Sequence, residues 1–289
     1  MPFISVILVT FNREHYLPTM LSSLRNQTFK DYELILVNNG STDNTMKICN
    51  NYANNDTRVK LIHNQKNIGA SFGRNSGLSQ ATGDFISFVD DDDRCGPSML
   101  EVLADIAIKT NADISMCGSY NEFSDRLEPY FIFDEKYEFD RLQGLKELLN
   151  RKLYNVAPPT KLFRRSLWNG FTFPENVLVD DIHVVYKVFE KAQRVSVWGI
   201  PLYFFRKHSS NMTSFIHNRT MTPELLNEYL NMYQTRAAYL IERAPEITKD
   251  VELSMIAFME SMCSNIKQNN IHDCDKYLTF MTEYLSGRK

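Results

Sequence analysis

Short β-branched apolar runs alternate with segments of helical spacing through the first 120 residues, and few architectures absorb that alternation. Residues 3–9 (FISVILV), 32–38 (YELILVN), 59–63 (VKLIH), 84–89 (DFISFV) and 113–119 (DISMCGS) read as strands. Continuous apolar runs of this kind suit strands covered on both faces. Between them, residues 13–26 bring Leu17, Leu21 and Leu24 onto one helical face. Residues 42–53, 69–81 and 97–110 also read as helices, the last opened by Pro97. Strand–helix alternation predicts a parallel sheet with helices on both faces. Right-handed crossovers then gather the ends of strands one, two and four at one edge. Open α/β sheets bind ligands at that carboxyl edge.

After residue 120 the alternation weakens. Residues 121–140 are acidic and aromatic, and read as an irregular or hairpin connection. Residues 141–151 and 181–192 read as helices, 194–198 and 202–206 as two short strands. From about residue 222 only helical spacing remains, in 225–241, 251–266 and 277–285. The polar stretch 207–211 suggests a boundary near 215–222.

Composition narrows the partners. A net charge of -3 without a dominant basic block argues against nucleic acid. The five cysteines (Cys49, Cys95, Cys117, Cys263 and Cys274) lie far apart without C-x-x-C spacing, which suggests free thiols in a reducing compartment. No basic leader precedes the first apolar run, and no run approaches the roughly 20 apolar residues of a spanning helix. A cytoplasmic protein, at most peripheral to the inner face of the membrane, is expected. The N-x-[ST] triplets at Asn26, Asn55, Asn211 and Asn218 then read as chance.

Polar residues fall where the sheet edge is expected: Thr10-Phe11-Asn12, Asn38-Asn39-Gly40, and Asp90-Asp91-Asp92-Asp93. Four adjacent carboxylates at the end of a buried strand repel one another. They can close a solvated turn, or hold a hard divalent cation against a diphosphate. The buried strand favours the cation. Asp90 and Asp92, two residues apart, can point the same way. Asn-Gly by itself is a turn dipeptide, and Arg74 by itself a surface charge. At this edge an amide can meet a base, and an arginine a phosphate or a base.

The series SVILVTFN (5–12), NNGSTD (38–43), NIGASFGRNSG (67–77) and FVDDDD (88–93) resembles the inverting glycosyltransferase family 2, of GT-A fold. The match is dense to residue 120 and looser to about 215. The resemblance implies a nucleotide-binding part at 1–120 and an acceptor-side part at 121–218; the helical spacing beyond them reads as a helical subdomain at 219–289. It implies a nucleotide diphosphate sugar donor, Mn²⁺ or Mg²⁺, and a glycan or lipid-linked acceptor, with a bacterial surface polysaccharide expected. Asp90, Asp92 and Asp93 are the implied metal residues, Asp92 foremost. Thr10, Asn12, Asn39, Arg74, Asp90, Asp91 and Arg206 are the implied nucleotide residues. The NNGSTD element departs from the commoner DDGSTD, and an Asn39 oxygen can still accept from uracil or thymine N3–H. Uracil is favoured. Asp180-Asp181 resembles the family's acidic pair, with Asp181 the implied general base and Asp180 an orienting or acceptor-binding group. Without the resemblance, that pair reads as a helix cap. Lys161 matches another basic position; His208 can ligate a metal, although a lone loop histidine is more often merely solvated. The C-terminal helices read first as packed core, then as a homodimer face, then as a membrane-surface face.

The rivals are weaker. A nucleotidyltransferase wants a glycine-rich basic loop where Thr10-Phe11-Asn12-Arg13-Glu14 stands. An aspartyl phosphatase wants its acids after the first strand, and a dinucleotide enzyme wants G-x-G-x-x-G. A non-catalytic nucleotide-sugar-binding module would keep the sheet edge and have no need of Asp181.

Overall fold

The structure is a computed structural model describing residues 1–209, 211, 221–269 and 271–287. Strands β1 (Ile4–Thr10), β2 (Tyr32–Asn39), β3 (Val59–Asn64) and β4 (Phe85–Asp90) are joined by helices α1 (Leu17–Arg25), α2 (Thr45–Asn54) and α3 (Ala70–Gln80). They pair in parallel, in the order β3-β2-β1-β4, as the alternation predicts. The apolar runs are buried on both faces: every residue of β2 is buried, and β1 is buried except at Val9.

Beyond β4 the sheet is mixed. Strands β5 (Arg94–Cys95), β6 (Ile114–Glu122), β7 (Leu127–Tyr130), β8 (Lys136–Asp140), β9 (Lys161–Arg164) and β10 (Arg194–Arg206) complete it. β9, which the sequence did not mark as a strand, lies antiparallel between β4 and β6. A four-residue strand leaves almost no periodic trace in sequence. The two short strands read at 194–198 and 202–206 are one, β10, whose register shifts around Pro201. Proline cannot donate to the ladder, and a bulge lets the strand pass it. Residues 121–140 do include a hairpin: β7 folds back on β6, while β8 pairs with β10.

Helices α4 (Met99–Thr110), α5 (Arg141–Asn150) and α6 (Asp181–Lys191) cover the sheet. Helices α7 (Pro223–Arg243), α8 (Thr248–Asn269) and α9 (Asp275–Ser286) follow. They share a core around Leu226, Leu230, Met259 and Met281, which reaches Ile182 of α6. Leu240, Ile247 and Val251 belong instead to the core of the sheet, so these helices are packed onto it. The boundary expected near 215–222 falls mostly outside the described residues. Among those described, no helix is long and apolar enough to cross a membrane. All five cysteines are free and buried.

Helix α3 has no apolar stripe and buries Ser71, Gly73 and Gly77. The small residues are its packing surface. A Cβ on Gly77 would stand 2.6 Å from Ile7 Cγ2, and one on Gly73 would run into Val9. Branched side chains on β1 have little rotamer freedom to yield. The helix therefore lies close on the sheet and brings Arg74 to its edge. Gly77→Ala gains up to about 1 kcal/mol of helix propensity, while overpacking costs about 1–3 kcal/mol. Thermal unfolding of Gly77→Ala is expected to show a lower melting temperature; an unchanged or higher one would mean that α3 does not rest on Ile7.

Candidate active site

The carboxyl ends of β1 and β4 open into a cleft of about 1380 Å³, closed on its other side by α6, α7 and the end of β10. Asp90 to Asp93, Asn39, Arg74, Asp180, Asp181, Arg206 and His208 all line it. Thr10 and Asn12 do not. Thr10 is buried at the end of β1. Asn12 takes a left-handed backbone (φ 51°) and its Oδ1 accepts the Thr42 N–H at 2.8 Å, pinning the β1 loop to the β2 loop.

The four aspartates face different partners. Asp90 Oδ1 lies 3.4 Å from Arg74 Nη2, and its backbone N–H donates to Tyr203 Oη at 3.1 Å. Asp91 accepts from the Phe11 N–H at 3.4 Å and lies 3.5 Å from Arg13 Nε. Burial, reinforced by Asp92, pushes the Asp91 carboxyl up to about 7. Asp92 Oδ2 sits 3.0 Å from His208 Nε2 and 3.3 Å from Asn211 Nδ2. Asp93 is buried, accepts the Arg206 N–H at 2.8 Å, and is pushed well up by burial and by repulsion from Asp90 and Asp92. A cluster in this state binds a proton or another cation readily.

Among the described residues no three His, Cys, Asp or Glu side chains already converge as a metal cage. The donor set nevertheless fits a hard divalent ion. Carboxylate oxygens and one imidazole suit Mn²⁺ or Mg²⁺, which keep positions open for phosphate. Asp92 with His208 is the pair already adjacent.

Asn39 is held in an amide network. Its Nδ2 donates to Asn67 Oδ1 and to the Gly69 carbonyl, both at 2.9 Å, and its Oδ1 accepts from Asn64 Nδ2 at 3.0 Å. One lone pair of that oxygen remains for a base. Asn64 was not singled out in the sequence, and Asn67 stood there only as the first residue of the 67–77 motif.

Asp180 and Asp181 are neighbours in different surroundings. Arg74 Nη1 lies 2.6 Å from both oxygens of Asp180, and Ser71 Oγ donates to it at 3.2 Å. The expected alternative, a helix cap, is absent: Asp180 makes no side-chain capping bond to α6. Asp181 is different. Its Oδ1 is enclosed and, among the described residues, has no hydrogen-bond partner. Burial, then repulsion from Asp180, pushes its carboxyl up to about 6. A carboxylate held near neutrality is suited to taking a proton.

The remaining basic residues divide. Arg206 lines the cleft, stacked 5.4 Å over the Tyr16 ring, with Glu122 3.9 Å away. Lys161 lies beneath the cleft, not on its wall. It is 1% exposed, donates to the Ala157 carbonyl at 2.6 Å, and burial lowers it to about 7. Arg13 and Tyr203, which hold the aspartate loop, were not singled out in the sequence.

Removing one partner of a buried ion pair costs about 3–5 kcal/mol, because the other is left unpaired. Arg74→Met is therefore expected to lower stability by that order. Arg74→Met combined with Asp180→Asn is expected to cost clearly less than the sum of the single changes. Denaturant titration of the four proteins checks this; additive costs would mean that the two side chains are not coupled.

The profile described as "Glycosyl transferase family 2" matches residues 5–171. The chain is 31% identical to the Bacillus subtilis (strain 168) glycosyltransferase EpsJ over 79% of this chain and 68% of that one. It is 32% identical to the putative glycosyltransferase EpsH of the same organism over 91% of this chain and 76% of that one. Among solved structures, S. aureus TarS 1-349 superposes with a TM-score of 0.68 at 25% identity, over 89% of this chain and 70% of that chain. The same protein, solved with UDP-GlcNAc, superposes at 0.68 with 22% identity over 98% of this chain and 92% of that chain. The ordered edge motifs, the sheet that carries them and these matches agree: the chain belongs to glycosyl transferase family 2 and is a glycosyltransferase of GT-A fold.

Proposed function

We propose that this enzyme transfers a sugar, with inversion, from a UDP-sugar to a hydroxyl of a glycan or lipid-linked acceptor in bacterial surface polysaccharide synthesis. One observation carries the reading: Asp181, near neutrality and with an unpartnered oxygen, lines the same cleft as the four aspartates. The B. subtilis relatives and the TarS complex with a UDP-sugar support the choice of donor and setting.

In this scheme the nucleoside lies along the β1 and β2 loops, against Asn39. The diphosphate lies toward Arg206 and the aspartate loop. Asp92 with His208, flanked by Asp90 and Asp93, would hold Mn²⁺ or Mg²⁺, which offsets charge on a departing diphosphate. Asp181 accepts the proton of the acceptor hydroxyl while that oxygen bonds to the anomeric carbon. The bond from that carbon to the UDP oxygen breaks on the opposite face, so the configuration inverts. Asp180 lies against Arg74, and its proximity helps Asp181 hold the proton it takes.

Replacing Asp181 by Asn removes the acceptor of that proton. Transfer is expected to fall by about 10²–10⁴-fold, while UDP affinity by calorimetry stays close to that of the parent. NMR of the product should show the anomer opposite to that of the donor. Loss of UDP binding in Asp181→Asn, or a retained configuration, would refute the assignment.

A further inference from the structure

Past Asp181 the cleft runs onto a wall of a different character. Tyr229, Tyr233 and Arg236 follow one another at helical spacing along α7, and Arg151 caps the end of α5 in a left-handed conformation. Arg236 is 5% exposed. Its Nη2 donates to Ser254 Oγ at 2.8 Å and its guanidinium stacks 4.2 Å from the Tyr233 ring centre. Among the described residues, neither Arg236 nor Arg151 has a carboxylate in ion-pair range. Burial and the nearby charge of Arg151 both weaken the hold of Arg236 on its proton.

That arrangement is costly. A buried cation is normally paired, and here a second cation, Arg151, acts on it instead. The bond to Ser254 ties α7 to α8, but a neutral amide could make it without burying charge. Arg151 is exposed and has no such tie. Asp181 lies close enough to act on the Tyr229 hydroxyl, so the arginines follow on from the acidic end of the cleft. Donor phosphates have their own basic residues beside the aspartate loop, Arg206 and Lys207. The second basic wall faces whatever enters from the acceptor side.

We propose that Arg236 and Arg151 form an oxyanion subsite, and that the acceptor carries a phosphate group beyond the hydroxyl that is glycosylated. This rests on the glycosyltransferase reading of Asp181, which marks the reactive end. Guanidinium groups on two separate elements, with tyrosine hydroxyls beside them, serve more oxygens than one carboxylate presents. Two sources share the chemistry: the diphosphate head of a lipid carrier, and the phosphodiester of a polyol-phosphate chain.

The test uses the full chain loaded with saturating UDP and Mg²⁺, so that the donor phosphate site is occupied. Calorimetric titration with geranyl diphosphate represents the lipid source, and with glycerol phosphate the polyol source; glucuronate is the carboxylate control. At least one phosphate probe is expected to bind more tightly than glucuronate, and the tighter of the two identifies the source. Charge-assisted hydrogen bonds contribute about 1.5–3 kcal/mol, so Arg151→Ala and Arg236→Gln should each weaken that probe about tenfold or more, with UDP affinity unchanged. Should Arg236→Gln fail to fold, the exposed Arg151→Ala decides alone. The subsite is overturned if no phosphate probe binds, if glucuronate binds best, or if a folded variant keeps the parental affinity. Failure of UDP to bind would count against the donor reading alone. The same titrations on the unloaded chain then decide the subsite by the same criteria.

Discussion

The contact between Arg74 and Asp180 is the one on which the site depends. Arg74 comes from α3 in the N-terminal half, and Asp180 from the entry to α6 more than a hundred residues later. Its guanidinium also reaches Asp90, at the end of β4. One cation thus joins the helix lying on β1, the acidic loop and the segment bearing Asp181. Burial makes the tie directional, because none of the partners can be left unpaired cheaply. The glycines of α3 matter for the same reason: they set how close that helix lies, and so where Arg74 ends.

A division of labour between two adjacent acids follows. Asp180 takes the short contacts, with both of its oxygens 2.6 Å from Arg74 Nη1. Asp181, one residue on, receives burial and the repulsion of its neighbour, and is driven toward neutrality. Two carboxylates of the same chemistry thereby meet different surroundings, the pattern by which environment separates paired acids. Crowding acts in the same way at the aspartate loop, where Asp91 and Asp93 are pushed up while Asp92 faces an imidazole.

Most of the first 120 residues was legible in the sequence because its signals are local. Continuous apolar runs gave the strands, and turn and cap residues gave the loops between them. The acidic pair at 180–181 was visible only through resemblance, since acids at a helix start are ordinary; the absence of a capping bond appears only in three dimensions. β9 was hidden because four residues carry no period, and β10 was split in the reading because Pro201 looks like a break. Asn64, Asn67, Arg13 and Tyr203 serve the site from positions that look like turn, surface and core. Arg236 was hidden most completely, as one charge on a helix otherwise read for its apolar spacing. Its neighbours come from three different segments, and no window along the chain contains them.

The state of Asp181 is the claim most directly open to measurement. Carbon-13 NMR of the aspartate side chains, without added divalent ions and with Asp181→Asn used to identify the signal, gives its titration midpoint. A midpoint near 6 is predicted, above the usual carboxylate range. The proton-accepting form then fills as pH rises through that value, and is lost below it. A midpoint near 4 would show that Asp181 is an ordinary solvated carboxylate, and would contradict its assignment as a base tuned by burial.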